Sequence, residues 1–282
     1  MIAFLRRLFG LEKKKQIKIG LALGSGGAKG FAELGAVKAF EENGIEFDVF
    51  AGTSIGSIVG AFLADGYTST DIYELLGRVN ASDVAGKLMI GMDTSGLYRV
   101  IDRAIGSKNI EELKKPFAVA VTDVDNSVGK TFYKGETARL LCASAAYPPY
   151  FKPVIIDGVR YVDGAFFNSV PADAARELGA DYVVGIDLSN HVSKPNLIEK
   201  IFPTFKGGLK EPWQKGYDNS DVMIRPDLTG YSSISFGAGK AMYDAGYNAA
   251  MKVMEKIKKD VEFLKKRPTS GRKTYTKDNS CR

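Results

Sequence analysis

Histidine is almost missing from this chain: His191 is the only one in 282 residues. Any chemistry that needs an imidazole must use that residue or do without it. Cysteine is nearly as scarce, with Cys142 in an apolar stretch and Cys281 close to the C-terminus. Thiols so far apart make no disulfide framework and suit a reduced, cytoplasmic compartment. With one histidine they cannot supply the ligand spacing of a metal site, so none is expected. Cys142 has no basic neighbour in sequence, which favours a small buried hydrophobe over a nucleophile. No apolar run reaches the ~20 residues that span a bilayer, and no signal-peptide cleavage pattern follows the first basic residues.

Positive charge is what the chain has in excess. Lys and Arg number 39 against 33 Asp and Glu, a net charge of +6. Such a balance favours acidic surfaces, but no nucleic-acid module accompanies it and only Tyr275 interrupts the basic tail, so nucleic acid is not an expected partner. The basic residues gather at the ends. In residues 1–16, Ile2, Leu5, Leu8 and Phe9 share a helical face beside Arg6, Arg7 and Lys13 to Lys15. That helix fits either a peripheral position in an anionic headgroup layer on the inner membrane face or a seat on its own protein. Residues 265–282 are basic and rich in Ser and Thr, the composition of a disordered tail. Between them lies one domain, 17–264. Its strand-like runs at 17–23, 47–51, 117–122, 154–162 and 182–188 alternate with helical stretches. This is the pattern of an α/β fold with a mainly parallel sheet sandwiched by helices.

Three of the connections carry chemistry. The run at 17–23 ends in Gly24-Ser25-Gly26-Gly27-Ala28-Lys29-Gly30, and a helix bearing Phe31, Leu34, Val37 and Phe40 follows. Backbone N–H groups of such a loop can converge on an anion. A dinucleotide fingerprint would need Gly where Lys29 stands, and the Gly129-Lys130-Thr131 triplet has Val124 where a P-loop needs its first glycine. An oxyanion hole explains the loop better, because one βα unit later Gly52-Thr53-Ser54-Ile55-Gly56 sets a serine between a strand and a helix. Glycines on both sides permit a sharp reversal that leaves the Ser54 hydroxyl at a helix N-terminus, a position suited to a nucleophile. The third connection follows a hairpin turning at Asp157-Gly158. Its return strand ends in Asp163-Gly164-Ala165, where small residues allow another loop to approach, and a helix follows from Pro171.

In this order the segments resemble the patatin-like phospholipases, in particular their small bacterial members. Ala143-Ser144-Ala145-Ala146-Tyr147-Pro148-Pro149-Tyr150-Phe151, ahead of Asp163, and Asp244-Ala245-Gly246-Tyr247, in the last helix, belong to the same likeness, which covers residues 17 to 255. It implies a patatin-like three-layer architecture and a Ser-Asp dyad without histidine. Ser54 would be the nucleophile, Asp163 the base, and the N–H groups of Gly26, Gly27 and Ala28 the oxyanion donors. Gly24, Lys29, Gly30, Gly52, Gly56, Gly164 and Ala165 complete the motifs. Lys29 stands where many relatives carry Arg, so charge is kept and a bidentate contact is lost. The resemblance further implies hydrolysis of acyl esters of phospholipids or lysophospholipids through an acyl-enzyme, with no cofactor and no calcium.

Other readings of the residues stay open. The chain order Ser54, Asp163, His191 also matches the Ser-acid-His order of α/β-hydrolases. In a different class, Gly24 to Gly30 would hold a phosphate in a non-catalytic module and Ser54 would merely start a helix. Residues 190–222, with Leu197, Ile198, Ile201, Phe202 and Phe205 in one amphipathic stretch, read as a lid or acyl-chain wall, a satellite helix or a homodimer contact.

Overall fold

The computed structural model describes residues 16–77, 90–189, 201–202 and 211–266. The basic N-terminal segment, His191, most of 190–222 and the tail beyond Lys266 lie outside the described residues. One mixed sheet contains β1 (Ile19–Leu23), β2 (Val49–Thr53), β3 (Phe117–Asp123), β4 (Val128–Phe132), β5 (Val154–Ile156), β6 (Val159–Asp163), β7 (Tyr182–Ile186) and β8 (Val222–Ile224). The neighbours β3-β2-β1-β7-β8 are all parallel, and β4, β5 and β6 add antiparallel pairs at one side.

The helices are α1 (Gly30–Glu42), α2 (Ile55–Ala64), α3 (Ser69–Gly77), α4 (Ser95–Ile105), α5 (Thr137–Ser144), α6 (Ala172–Glu177), α7 (Gln214–Asn219) and α8 (Gly239–Lys266). Because successive side chains of a strand point to opposite faces, Leu21 and Leu23 of β1 enter a large core while Ala22 enters a smaller one. The large core is closed by α1, α2, α4, α5 and α8, and the smaller by α6, whose Ala172, Ala174 and Ala175 meet Ala51, Ala118 and Val183. The result is three layers. α8 crosses α1 so closely that a Cβ on Gly246 would lie 1.8 Å from Ala32 O, which fixes the helix that follows the glycine-rich loop. α8 runs through Lys266, so Lys265 and Lys266 form its last turn, where cations suit the carbonyl end of a helix.

The register of β3 determines where the site sits. β4 pairs with residues 119–123 of β3, β2 with 117–120 and β6 with 121–123. A strand has two edges, and β4 shares partners with both of the others. β2 and β6 therefore lie end to end along the same edge of β3. Thr53 is opposite Ala120 and Asp163 is opposite Val121, one residue further on. The end of β2 and the end of β6 meet there.

Candidate active site

Between Thr53 and Ile55 a single residue reverses the chain. Ser54 holds φ 57° and ψ −126°, a region that costs a non-glycine residue about 1–3 kcal/mol and persists only where its surroundings over-determine it. Its N–H donates to Ser144 Oγ at 2.8 Å, and its carbonyl accepts from Ser57 N–H at 2.9 Å and Ser57 Oγ–H at 2.6 Å. The flanking glycines are there for contact: a Cβ on Gly52 would lie 2.2 Å from Gly56 O, and one on Gly56 2.5 Å from Leu23 O at the end of β1. Ser54 is buried, with 8% of its surface exposed.

Asp163 is fully buried at the end of β6. Its Oδ1 accepts the Ala165 N–H at 2.9 Å, whereas Oδ2 has no partner of ordinary hydrogen-bond geometry. Burial pushes the Asp163 carboxyl up to about 7, against the opposing effects of the facing Ser54 hydroxyl and the Ala165 N–H. The carboxylate thus has one oxygen fixed and one available to the serine. Gly164 makes the approach possible, since a Cβ there would meet Ala120 O at 2.4 Å and Thr53 Cγ2 at 3.1 Å. The Thr122 hydroxyl donates to Asp163 O at 2.8 Å, and Tyr147 stacks on Phe166 at 5.2 Å beside the acid.

The glycine-rich loop lies on the other side of Ser54. Gly26 is extended, Gly27 takes φ +57°, and Gly30 opens α1 against the Ile55 side chain. Among the described residues nothing accepts the N–H of Gly26 or of Gly27. The N–H of Ala28, the third donor expected for an oxyanion, is engaged by Ser233 O at 2.8 Å, so two open donors remain. Lys29 is buried and reaches Leu188 O at 3.4 Å, which ties the loop to the end of β7. Beneath the loop, burial raises the Glu33 carboxyl of α1 well above the usual carboxylate range, although the Gly24 N–H faces it. Neither Glu33 oxygen has a partner of ordinary hydrogen-bond geometry.

One short segment fastens these parts to each other. Asn168 O accepts the Thr53 hydroxyl at 2.7 Å and Ser169 O accepts the Ser25 N–H at 2.9 Å, five and six residues beyond the acid. The chain after Asp163 thereby holds both the end of β2 and the loop after β1. Sequence reasoning assigned no role to Ser144, Asn168, Ser169, Ser233 or Glu33. The first three and Ser233 act through hydrogen bonds that depend on tertiary register. Two carried a signal: Ser144 lies in the segment ahead of Asp163 that shares the family likeness, and Glu33 is a charged residue on the apolar face of a helix. Among the described residues no cluster of three or more His, Cys, Asp or Glu could hold a metal ion, and no helix is long and apolar enough to cross a membrane.

Residues 21–176 match the family model described as patatin-like phospholipase. The patatin-like phospholipase domain-containing protein 6 of Mus musculus is 33% identical over 276 residues, covering 81% of this chain and 20% of that protein. The lysophospholipase nte1 of Aspergillus fumigatus is 26% identical over 285 residues, covering 86% and 18%. The chain therefore spans about a fifth of the length of these curated relatives. VipD from Legionella pneumophila is a solved structure of similar fold, with TM-score 0.52 at 15% identity over 85% of this chain and 67% of that one. Human GIVD cytosolic phospholipase A2 gives TM-score 0.52 at 9% identity over 93% and 62%.

Proposed function

The chain belongs to the patatin-like phospholipase family, and from that premise we propose that it is a serine acyl hydrolase cleaving fatty-acyl ester bonds of phospholipids or lysophospholipids by a Ser54-Asp163 dyad. The observation that carries this reading is the pairing of a strained, nearly buried serine with a fully buried carboxyl whose Oδ2 is left to it. As the Ser54 oxygen attacks the ester carbonyl, Asp163 Oδ2 takes the hydroxyl proton and a carbon–oxygen bond forms. The displaced electron pair settles on the former carbonyl oxygen, where the N–H groups of Gly26 and Gly27 can receive it. Collapse of that intermediate breaks the ester carbon–oxygen bond, and the leaving alcohol takes its proton from Asp163. Water then attacks the acyl carbon and gives a proton to the same carboxylate. The bond from that carbon to the Ser54 oxygen breaks, the serine oxygen takes the proton back from Asp163, and the fatty acid leaves.

A base must be unprotonated to act, so a carboxyl lifted to about 7 places the acid limb of activity near neutrality rather than near pH 4. The names of the relatives support a lipid ester as substrate, and the charge of +6 supports an anionic membrane as the surface on which it is met. The test is Ser54→Ala. The variant should fold, fail to react with a fluorophosphonate label and lose turnover of nitrophenyl butyrate and of a phospholipid and lysophospholipid panel. Substantial hydrolysis by this protein would place the nucleophile elsewhere.

A further inference from the structure

The ladder between β2 and β3 contains a substitution. Phe50 N–H donates to Pro116 O at 2.9 Å, and the pairing then runs Phe50 with Phe117 through Thr53 with Ala120. In a parallel ladder every second residue donates to the partner strand, so the donors after Phe50 are Gly52 and Ser54, facing the carbonyls of Ala118 and Ala120. Ser54 does not make that bond. Its N–H donates instead to Ser144 Oγ at 2.8 Å, and the Ser144 hydroxyl donates to Ala120 O at 2.8 Å. The hydroxyl is spliced into the last rung of the ladder. It comes from the final residue of α5 and is fully buried.

We propose that Ser144 is a positioning residue for the nucleophile: its hydroxyl holds the end of β2 one hydroxyl's width off β3 and so aims Ser54 at Asp163. The inference rests on Ser54 being the nucleophile. Three observations carry it. First, the hydroxyl has a fixed polarity, accepting the Ser54 N–H and donating to Ala120 O, a double role that a small side chain fills best as a hydroxyl. Second, the peptide N–H it holds belongs to the residue at φ 57°, whose conformation has to be imposed. Third, the gap lies where the acid arrives: Ala120 O is also the atom that Gly164 approaches, and Asp163 takes the next place along the same edge. Removal of the hydroxyl leaves two alternatives. Either a buried N–H and a buried carbonyl lose their partner, or the direct rung closes and draws Ser54 onto β3, away from the carboxyl.

The experiment uses the full chain with nitrophenyl butyrate and a fluorophosphonate label. Ser144→Ala should slow labelling and lower kcat by about 100-fold, the scale on which a displacement of one ångström acts, with little change in KM. The acid limb near neutrality should stay in place, because Asp163 is untouched. Ser144→Thr, which keeps the hydroxyl, should return kcat to within about threefold of wild type, while Ser144→Cys, a weak donor of similar size, should stay slow. Wild-type rates in Ser144→Ala would overturn the proposal, as would equal rates in the Thr and Cys variants. That second comparison decides the matter if Ser144→Ala does not fold. Undiminished labelling of Ser54→Ala, in contrast, would remove the nucleophile assignment and the positioning role with it.

Discussion

The first two strand-turn-helix units of the chain, β1 to α1 and β2 to α2, lie side by side in the sheet and expose opposite chemistry. Each has a residue at φ 57° in its turn, Gly27 in the first and Ser54 in the second. In the first unit the positive φ falls on a glycine, and among the described residues nothing accepts the backbone N–H groups of Gly26 and Gly27. In the second it falls on a serine whose N–H is captured by Ser144, so that only the side chain is offered. One turn presents donors for a developing negative charge and the other presents the oxygen that creates it. A fully buried carboxyl lies against each turn, Glu33 of α1 behind the loop and Asp163 of β6 beside the elbow, and burial raises both. Among the described residues only Asp163 faces a hydroxyl, that of Ser54. Similar backbone geometry thus acquires different chemistry from what occupies the N–H and what faces the carboxylate.

The largest effect expected from this contrast belongs to Asp163→Asn. An amide cannot take the serine proton, so turnover should fall by about 10³-fold or more, as when a member of a coupled catalytic pair is removed. Stability should move the other way. A carboxyl whose folded pKa is raised to about 7, against about 3.9 unfolded, contributes stability that is fully present below pH 4 and lost as pH rises through 7. The Asn variant escapes that loss. Its melting temperature should match or fall below wild type at pH 4 and exceed it at pH 8, by up to about 4 kcal/mol in free energy. A variant that is less stable than wild type at both pH values would show that the carboxyl is not strained by burial.

A smaller effect is expected in the first unit. Gly27→Ala places a Cβ at positive φ and 2.4 Å from Ser233 O. It should lower kcat by about 10²-fold, the loss seen when an oxyanion donor is displaced, with KM nearly unchanged. A rise in KM at constant kcat would assign the loop to substrate binding instead. The smallest effect on rate belongs to Glu33→Gln, which alters a carboxyl that faces no hydroxyl among the described residues. Turnover should change little. Because burial holds the folded pKa of Glu33 above its unfolded value, the Gln variant should gain in melting temperature relative to wild type as pH rises from about 4, the unfolded range. Loss of turnover comparable to that of Asp163→Asn would break the contrast between the two carboxyls.

Much of this was legible in the sequence for a local reason. The turn at Asp157-Gly158 was readable because Asp and Gly tolerate φ 50° and 80°, and the glycine-rich loop and the elbow because glycine marks turns. The run expected to end at residue 51 continues through Thr53, since the reversal is confined to Ser54. β4 was not foreseen: Val128–Phe132 is largely exposed and shows no apolar alternation. β8 has three residues, too few to show a period. The meeting of β2 and β6 on one edge of β3, the Ser144 hydroxyl in the ladder and the Asn168-Ser169 fastening are matters of register, which no local pattern encodes. The readings of the basic N-terminal segment, at residues 1–15, and of His191 fall outside the described residues.

The central claim is that Asp163 takes the serine proton directly, and the pH dependence of kcat/KM in His191→Ala tests it most directly. A dyad predicts near wild-type kcat/KM with the acid limb still near 7, where burial places Asp163. Collapse of activity in a folded His191→Ala protein, or loss of that limb, would contradict it and give the proton to histidine.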